Sequence, residues 1–173
     1  MVGRSCRSCS MCCYIPRIEA TDLDKPSDTW CAHCRPGRRG CSIYGKRPEE
    51  YRKFVCSWLV NPDFGDEWYP KRSRMVCYFA LQSGRLWMRV EVDKRYPARW
   101  REEPYYTEIC QPALDGVKSE KFGTMVRVGD DRFLVLGRRI IKNPPSGRRL
   151  VQTATYSIIS ALEIVRGDAV KHR

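Results

Sequence analysis

Eight cysteines fall between Cys6 and Cys56, and this clustering limits what the first third of the chain can become. Cys6, Cys9, Cys12 and Cys13 spell CxxCxxCC, Cys31 and Cys34 form a further CxxC, and Cys41 and Cys56 complete the set. Two cysteines three apart can turn both sulfurs toward one ion within a tight backbone loop, an arrangement shared by zinc ribbons and iron–sulfur proteins. Neighbouring side chains diverge, so Cys12 and Cys13 are expected to serve different metals, or one of them to bridge. Eight thiolates divide into two four-cysteine sites, the closed coordination of structural zinc, and two zinc ions close together are the first expectation. An iron–sulfur cluster is the alternative. Cys6, Cys9 and Cys12 match the first three ligands of the bacterial ferredoxin spacing, but Cys13 follows at once and Tyr14 stands where that pattern continues.

The rest of the composition sets the context. At 173 residues the chain suits a small metal-held module joined to a domain of about 100 residues. No stretch approaches the roughly 20 apolar residues that cross a bilayer, and thiols occupy the N-terminus where a secretory signal needs an apolar run. A cytoplasmic location is therefore expected, and in a reducing compartment closely spaced cysteines are metal ligands more often than disulfides.

The net charge of +12 would stay positive even with eight thiolates on two dications, so an anionic partner, nucleic acid included, is a second expectation beside a protein partner. The cations near the cluster, Arg35, Arg38, Arg39, Lys46, Arg47, Arg52 and Lys53, would equally offset thiolate charge and hydrogen-bond the sulfurs. Farther on, Arg138-Arg139, Arg148-Arg149 and the Lys171 to Arg173 tail are candidates to grip phosphates, with Trp87 and Trp100 as stacking surfaces. A zinc protein in a structural or partner-binding role is the first functional reading, an iron–sulfur redox protein or electron carrier the second, and a zinc module that binds RNA or DNA the third.

Composition shifts after the cluster. The expected organisation is a cysteine module over residues 1–60, a connecting loop over 61–72 and a small α+β domain over 73–173. Met75, Cys77, Phe79 and Leu81, then Leu86, Met88, Val90 and Val92 beyond Ser83-Gly84, alternate as in a β-hairpin. Thr124 to Val128 and Arg132 to Leu136 form a second pair around Gly129. Between the pairs, Tyr106, Ile109, Cys110, Ala113 and Val117 recur at helical spacing, with Pro112 expected to kink or split the helix. A last helix is expected from about Tyr156 to Arg166. The predicted fold is α+β, with the cysteine module packed on an antiparallel sheet carrying one or two helices.

Taken together, CxxCxxCC at Cys6 to Cys13, WCxHC at Trp30 to Cys34, and the run from Cys41 through Ile43, Tyr44, Arg47 and Pro48 to Phe54 and Cys56 resemble a bacterial family of zinc- or iron-chelating cysteine-cluster proteins. The resemblance covers about the first 60 residues. It implies a metal site of about eight cysteines, sometimes an iron–sulfur centre, with no settled activity. A similar cluster occurs in flagellin lysine methylases, but no separate methyltransferase motif is present here. Where the family pattern has a cysteine after Arg-Pro, this chain has Tyr51. Cys31 keeps the total at eight; alternatively Tyr51 ligates ferric iron or packs, and packing is the expectation. Tyr51, Phe54, Val55 and Trp58 share helical spacing behind Pro48, a face expected to cover the metal site.

Other chemistry is weakly represented. Cys77 and Cys110 lie on apolar faces and are expected in the core. His33 stands inside a CxxC whose cysteines are better placed, and His172 is in a terminal tail. The sequential pairs Glu49-Glu50 and Glu102-Glu103 point apart, so no acid–base pair follows. There is no GxSxG, P-loop or dinucleotide fingerprint, and no catalytic residue is assigned.

Overall fold

The computed structural model describes residues 3–145, apart from Arg7, Thr21, Asp22, Pro36, Arg38, Arg39, Lys53, Ser83, Glu120 and Lys121. The helix expected from Tyr156 to Arg166, the Arg148-Arg149 pair and the basic tail lie outside these residues.

The chain is α+β. A five-stranded sheet in the order β3-β4-β5-β6-β7 carries one long helix, α4 (Tyr105–Ser119). Strands β3 (Met75–Gln82) and β4 (Arg85–Val92) form the first expected hairpin, with Met75 opposite Val92 and Phe79 opposite Met88. Strands β5 (Phe122–Val128) and β6 (Asp131–Leu136) form the second, and β7 (Arg139–Lys142) extends it after Gly137, whose φ of 67° suits glycine in a tight turn.

Two expectations need correction. The sheet is mixed rather than antiparallel, because β4 and β5 pair in parallel, Leu86 beside Phe122 and Val92 beside Val128. Parallel neighbours need a crossover, and the segment containing α4 supplies it. The expected split at Pro112 is absent: α4 runs through it as one helix, Tyr105–Ser119.

The strand alternation sorts the apolar residues onto one face. Met75, Cys77, Met88, Val90, Val126 and Val135 meet Trp100 and the inner face of α4 through Ile109, Cys110 and Ala113. On the other face, Trp87 lies so close to Gly123 that a Cβ there would meet its ring at 2.7 Å, so glycine is required where the indole crosses β5.

The N-terminal segment docks on this second face at the β3 edge. Its 3-10 turn Met11–Cys13 brings Met11, Tyr14 and Ile15 against Val76. The hairpin of β1 (Ile18–Ala20) and β2 (Leu23–Lys25) follows, and Asp28 pins it by accepting the Lys94 amide at 3.1 Å. Segment 61–72, expected as a connecting loop, contains the 3-10 turn Asp66–Trp68 and the start of α3 (Pro70–Ser73), and places Phe64 and Trp68 in the main core.

The expected helical face behind Pro48 is also interrupted. It forms α1 (Glu49–Arg52) and α2 (Ser57–Val60), with Cys56 extended between them at φ −64° and ψ 122°. Val55 is consequently exposed, while Phe54 packs edge-on against Tyr78 at 5.0 Å.

Candidate metal centre

The eight clustered cysteines fall into two sets of four. Cys6, Cys9, Cys12 and Cys56 line one small, apolar-walled cavity of ≈ 20 Å³ together with Trp58, Tyr69 and Val76. Cys13, Cys31, Cys34 and Cys41 gather on the other side of the Cys12–Cys13 step. The Cys31 amide donates to the Cys13 carbonyl at 2.9 Å, an isolated antiparallel bridge sets Cys34 opposite Cys41, and Cys13 feels the charges of both Cys34 and Cys41.

Local backbone makes each set. The first CxxC closes a turn, Cys9 N to Cys6 O at 2.7 Å, and Cys31 to Cys34 repeats it at 2.9 Å. A second device recurs three times: an amide two residues onward donates to the cysteine sulfur. His33 N reaches Cys31 Sγ at 3.4 Å, the Met11 amide serves Cys9 and the Trp58 amide serves Cys56. Such N–H to sulfur bonds favour the thiolate over the thiol, the form that ligates metal.

Burial works against ionisation of these thiols. It pushes the Cys9 thiol up to about 11 and Cys56 up to about 12, and it raises Cys6 as well. Cys12 moves the other way, to about 7, chiefly because the Cys13 thiol hydrogen-bonds its sulfur, with Tyr51 assisting; Cys13, the donor, is held far above the usual thiol range. The two sets therefore touch at Cys12 and Cys13.

All ten cysteines are free thiols. Among the described residues, no group of three or more His, Cys, Asp or Glu side chains converges tightly enough to hold an ion as it stands. The donor chemistry nevertheless fits a thiophilic metal: four cysteines in each set, and backbone donors already aimed at sulfur. Trp58, on the wall of the smaller cavity, has its indole Nε1 buried without a partner, and a thiolate is one acceptor that would satisfy it.

Tyr51 does more than pack. Its ring stacks on Phe54 at 5.5 Å, as expected, but its hydroxyl also donates to the Cys12 carbonyl at 2.6 Å and reaches the Cys12 sulfur. Arg47 holds its guanidinium over the Tyr44 and Tyr51 rings and lowers the thiol pKa of both Cys6 and Cys12. Lys46, Arg47 and Arg52, with His33, line an open basic cavity of ≈ 400 Å³ beside the cluster. Arg38, Arg39 and Lys53 lie outside the described residues.

Cys77 and Cys110 are buried in the sheet–helix core, Cys77 near Cys56 and beside the Ser57 hydroxyl. Two polar residues were missed by sequence reasoning. Lys25 is buried and gives its three N–H groups to the carbonyls of Tyr14, Pro26 and Thr29 at 3.0, 2.8 and 3.0 Å, close enough to Cys31 and Cys13 to feel their charge. Ser10 accepts the Gly40 amide at 2.8 Å, tying the CxxCxxCC turn to the loop before Cys41. No spacing rule points to either residue; only the folded hairpin brings them in.

Among the described residues, no helix is long and apolar enough to cross a membrane. No family model, curated protein or solved structure matches the chain, so the cysteine-cluster resemblance rests on its motif residues alone.

Proposed function

We propose that this chain is a cysteine-cluster metal protein in which Cys6, Cys9, Cys12 and Cys56 hold one zinc ion and Cys13, Cys31, Cys34 and Cys41 hold a second, in a structural or partner-binding role. The observation that carries this reading is the division of the eight cysteines into two fours at the Cys12–Cys13 step. Four thiolates close a tetrahedral zinc site and leave no position for substrate, which favours structure over catalysis. The bound metal would supply the enthalpy that the cysteine-rich segment, poor in apolar side chains, lacks for folding. Lys25, Arg47 and the sulfur-directed amides would balance the thiolate charge.

An iron–sulfur centre is the second reading. Elemental analysis and a visible spectrum of protein purified without oxygen or added metal separate the two. Two zinc per chain and no colour support the proposal; iron with acid-labile sulfide and absorbance near 400 nm replaces it with a redox role. Chelation should also collapse the amide dispersion of residues 5–56, and retained dispersion would remove the folding role.

A further inference from the structure

We propose that a second site, lined by none of the cysteines, binds a small organic cation with an aromatic or quaternary apolar body. The site is a cavity of ≈ 460 Å³ where α4 leaves the β3–β4 end of the sheet uncovered. That volume lies within the range of small-molecule pockets, about 300–1,000 Å³.

Its walls come from three parts of the fold. Phe64 and Trp68, from the segment after α2, meet edge to face at 5.0 Å. Phe79 and Phe122 stand opposite them on the sheet, 6.2 Å apart, with Met88 in the floor. Aromatic faces carry negative potential, so rings arranged around an opening attract a cation that has shed part of its water.

The polar groups point to the same ligand charge. Among the described residues, the lining includes two carboxylates, Asp63 and Glu108, and no lysine or arginine, in a chain with 32 Lys and Arg against 20 Asp and Glu. Glu108 is oriented by the Trp68 indole N–H, which donates to its Oε2 and leaves Oε1 without a partner from that ring. An anion would meet two carboxylates here, and a neutral ligand would forgo the attraction that both the rings and the carboxylates offer. The cavity shares no residue with either cysteine set, so its occupancy stands apart from the metal reading.

The test is titration of benzyltrimethylammonium chloride into the full-length protein, followed by amide and indole N–H chemical shifts, with phenylacetate and benzyl alcohol as anionic and neutral probes of the same body. Saturable movement of the Trp68 indole and of the Phe64 and Gln111 amides is expected with the ammonium probe and not with phenylacetate, with benzyl alcohol weaker by about tenfold. Glu108→Gln combined with Asp63→Asn, which keeps an acceptor for Trp68, should weaken ammonium binding about tenfold. Equal response to all three probes, or none, overturns the proposal, as does undiminished affinity in a folded double variant. The probe series needs no variant and decides the matter if the double variant fails to fold.

Discussion

The Tyr51 hydroxyl donates to the Cys12 carbonyl oxygen at 2.6 Å, joining residues 39 apart in the chain at the point where the two cysteine sets meet. The same hydroxyl helps hold the Cys12 thiol below its usual pKa. Tyr51→Phe keeps the stack on Phe54 and removes the donor, leaving a part-buried carbonyl without its partner. The expected cost is about 1–2 kcal/mol, read as a lower denaturant midpoint at unchanged slope. An unchanged midpoint would mean that packing alone explains the residue.

Asp131 closes the far end of the β6–β7 hairpin. Its carboxylate accepts from Lys142 Nζ at 2.9 Å and from Asn143 Nδ2 at 3.0 Å, and these two bonds, the lysine's first, hold its pKa below the usual carboxylate value. A depressed native pKa contributes stability above the unfolded value, near pH 4, and loses it as the pH falls through the native value. The advantage of wild type over Asp131→Asn should therefore be present at neutral pH, small because the pair is exposed, and absent in strong acid. A difference that persisted at low pH would assign the effect to something other than the ionised carboxylate.

The hairpins were legible because strand periodicity is local: Met75 through Leu81 and Leu86 through Val92 alternate, and the structure pairs them in that register. The parallel step was not read, although a helix-containing segment between Val92 and Phe122 is the length a crossover needs. The α1–α2 break escaped notice because Tyr51, Phe54, Val55 and Trp58 fit a helical period, whereas Cys56 takes an extended conformation that carries it to the cavity of Cys9. The grouping of Cys56 with Cys6, Cys9 and Cys12 around one cavity was not legible. Spacing links Cys6 to Cys9 and Cys31 to Cys34, but the joining of Cys56 to the first set and Cys13 to the second is settled by tertiary packing.

Lys25 gives the clearest test of a group that the motif does not contain. Burial lowers its ammonium to about 8, while Cys31, Asp28 and Cys13 push in the opposite direction. Lys25→Met keeps the stem length and abandons three carbonyls at once, with an expected loss of about 2–3 kcal/mol. If zinc occupies the second set, removal of this cation beside Cys31 and Cys13 should also weaken metal retention, by about 10–100-fold in a chelator competition. Loss of stability with unaltered retention would confine Lys25 to the β-hairpin.

The division of cysteines predicts how metal content responds to single substitutions. Cys9→Ser and Cys34→Ser each remove one sulfur from a different set, so each should lower bound zinc from two to about one per chain, and the double variant should approach none. Cys56→Ser should behave as Cys9→Ser does, although the residues are far apart in sequence, because both line one cavity. Cys77→Ala, in the core beside Cys56, and Cys110→Ala, on the inner face of α4, should retain both ions and lose only about 1–2 kcal/mol of stability from lost packing. Metal analysis of the six variants at matched concentration checks this directly. If any one substitution in either set released both ions together, the cysteines would act as a single polynuclear centre bridged at Cys12 and Cys13, and the two-site division would fall.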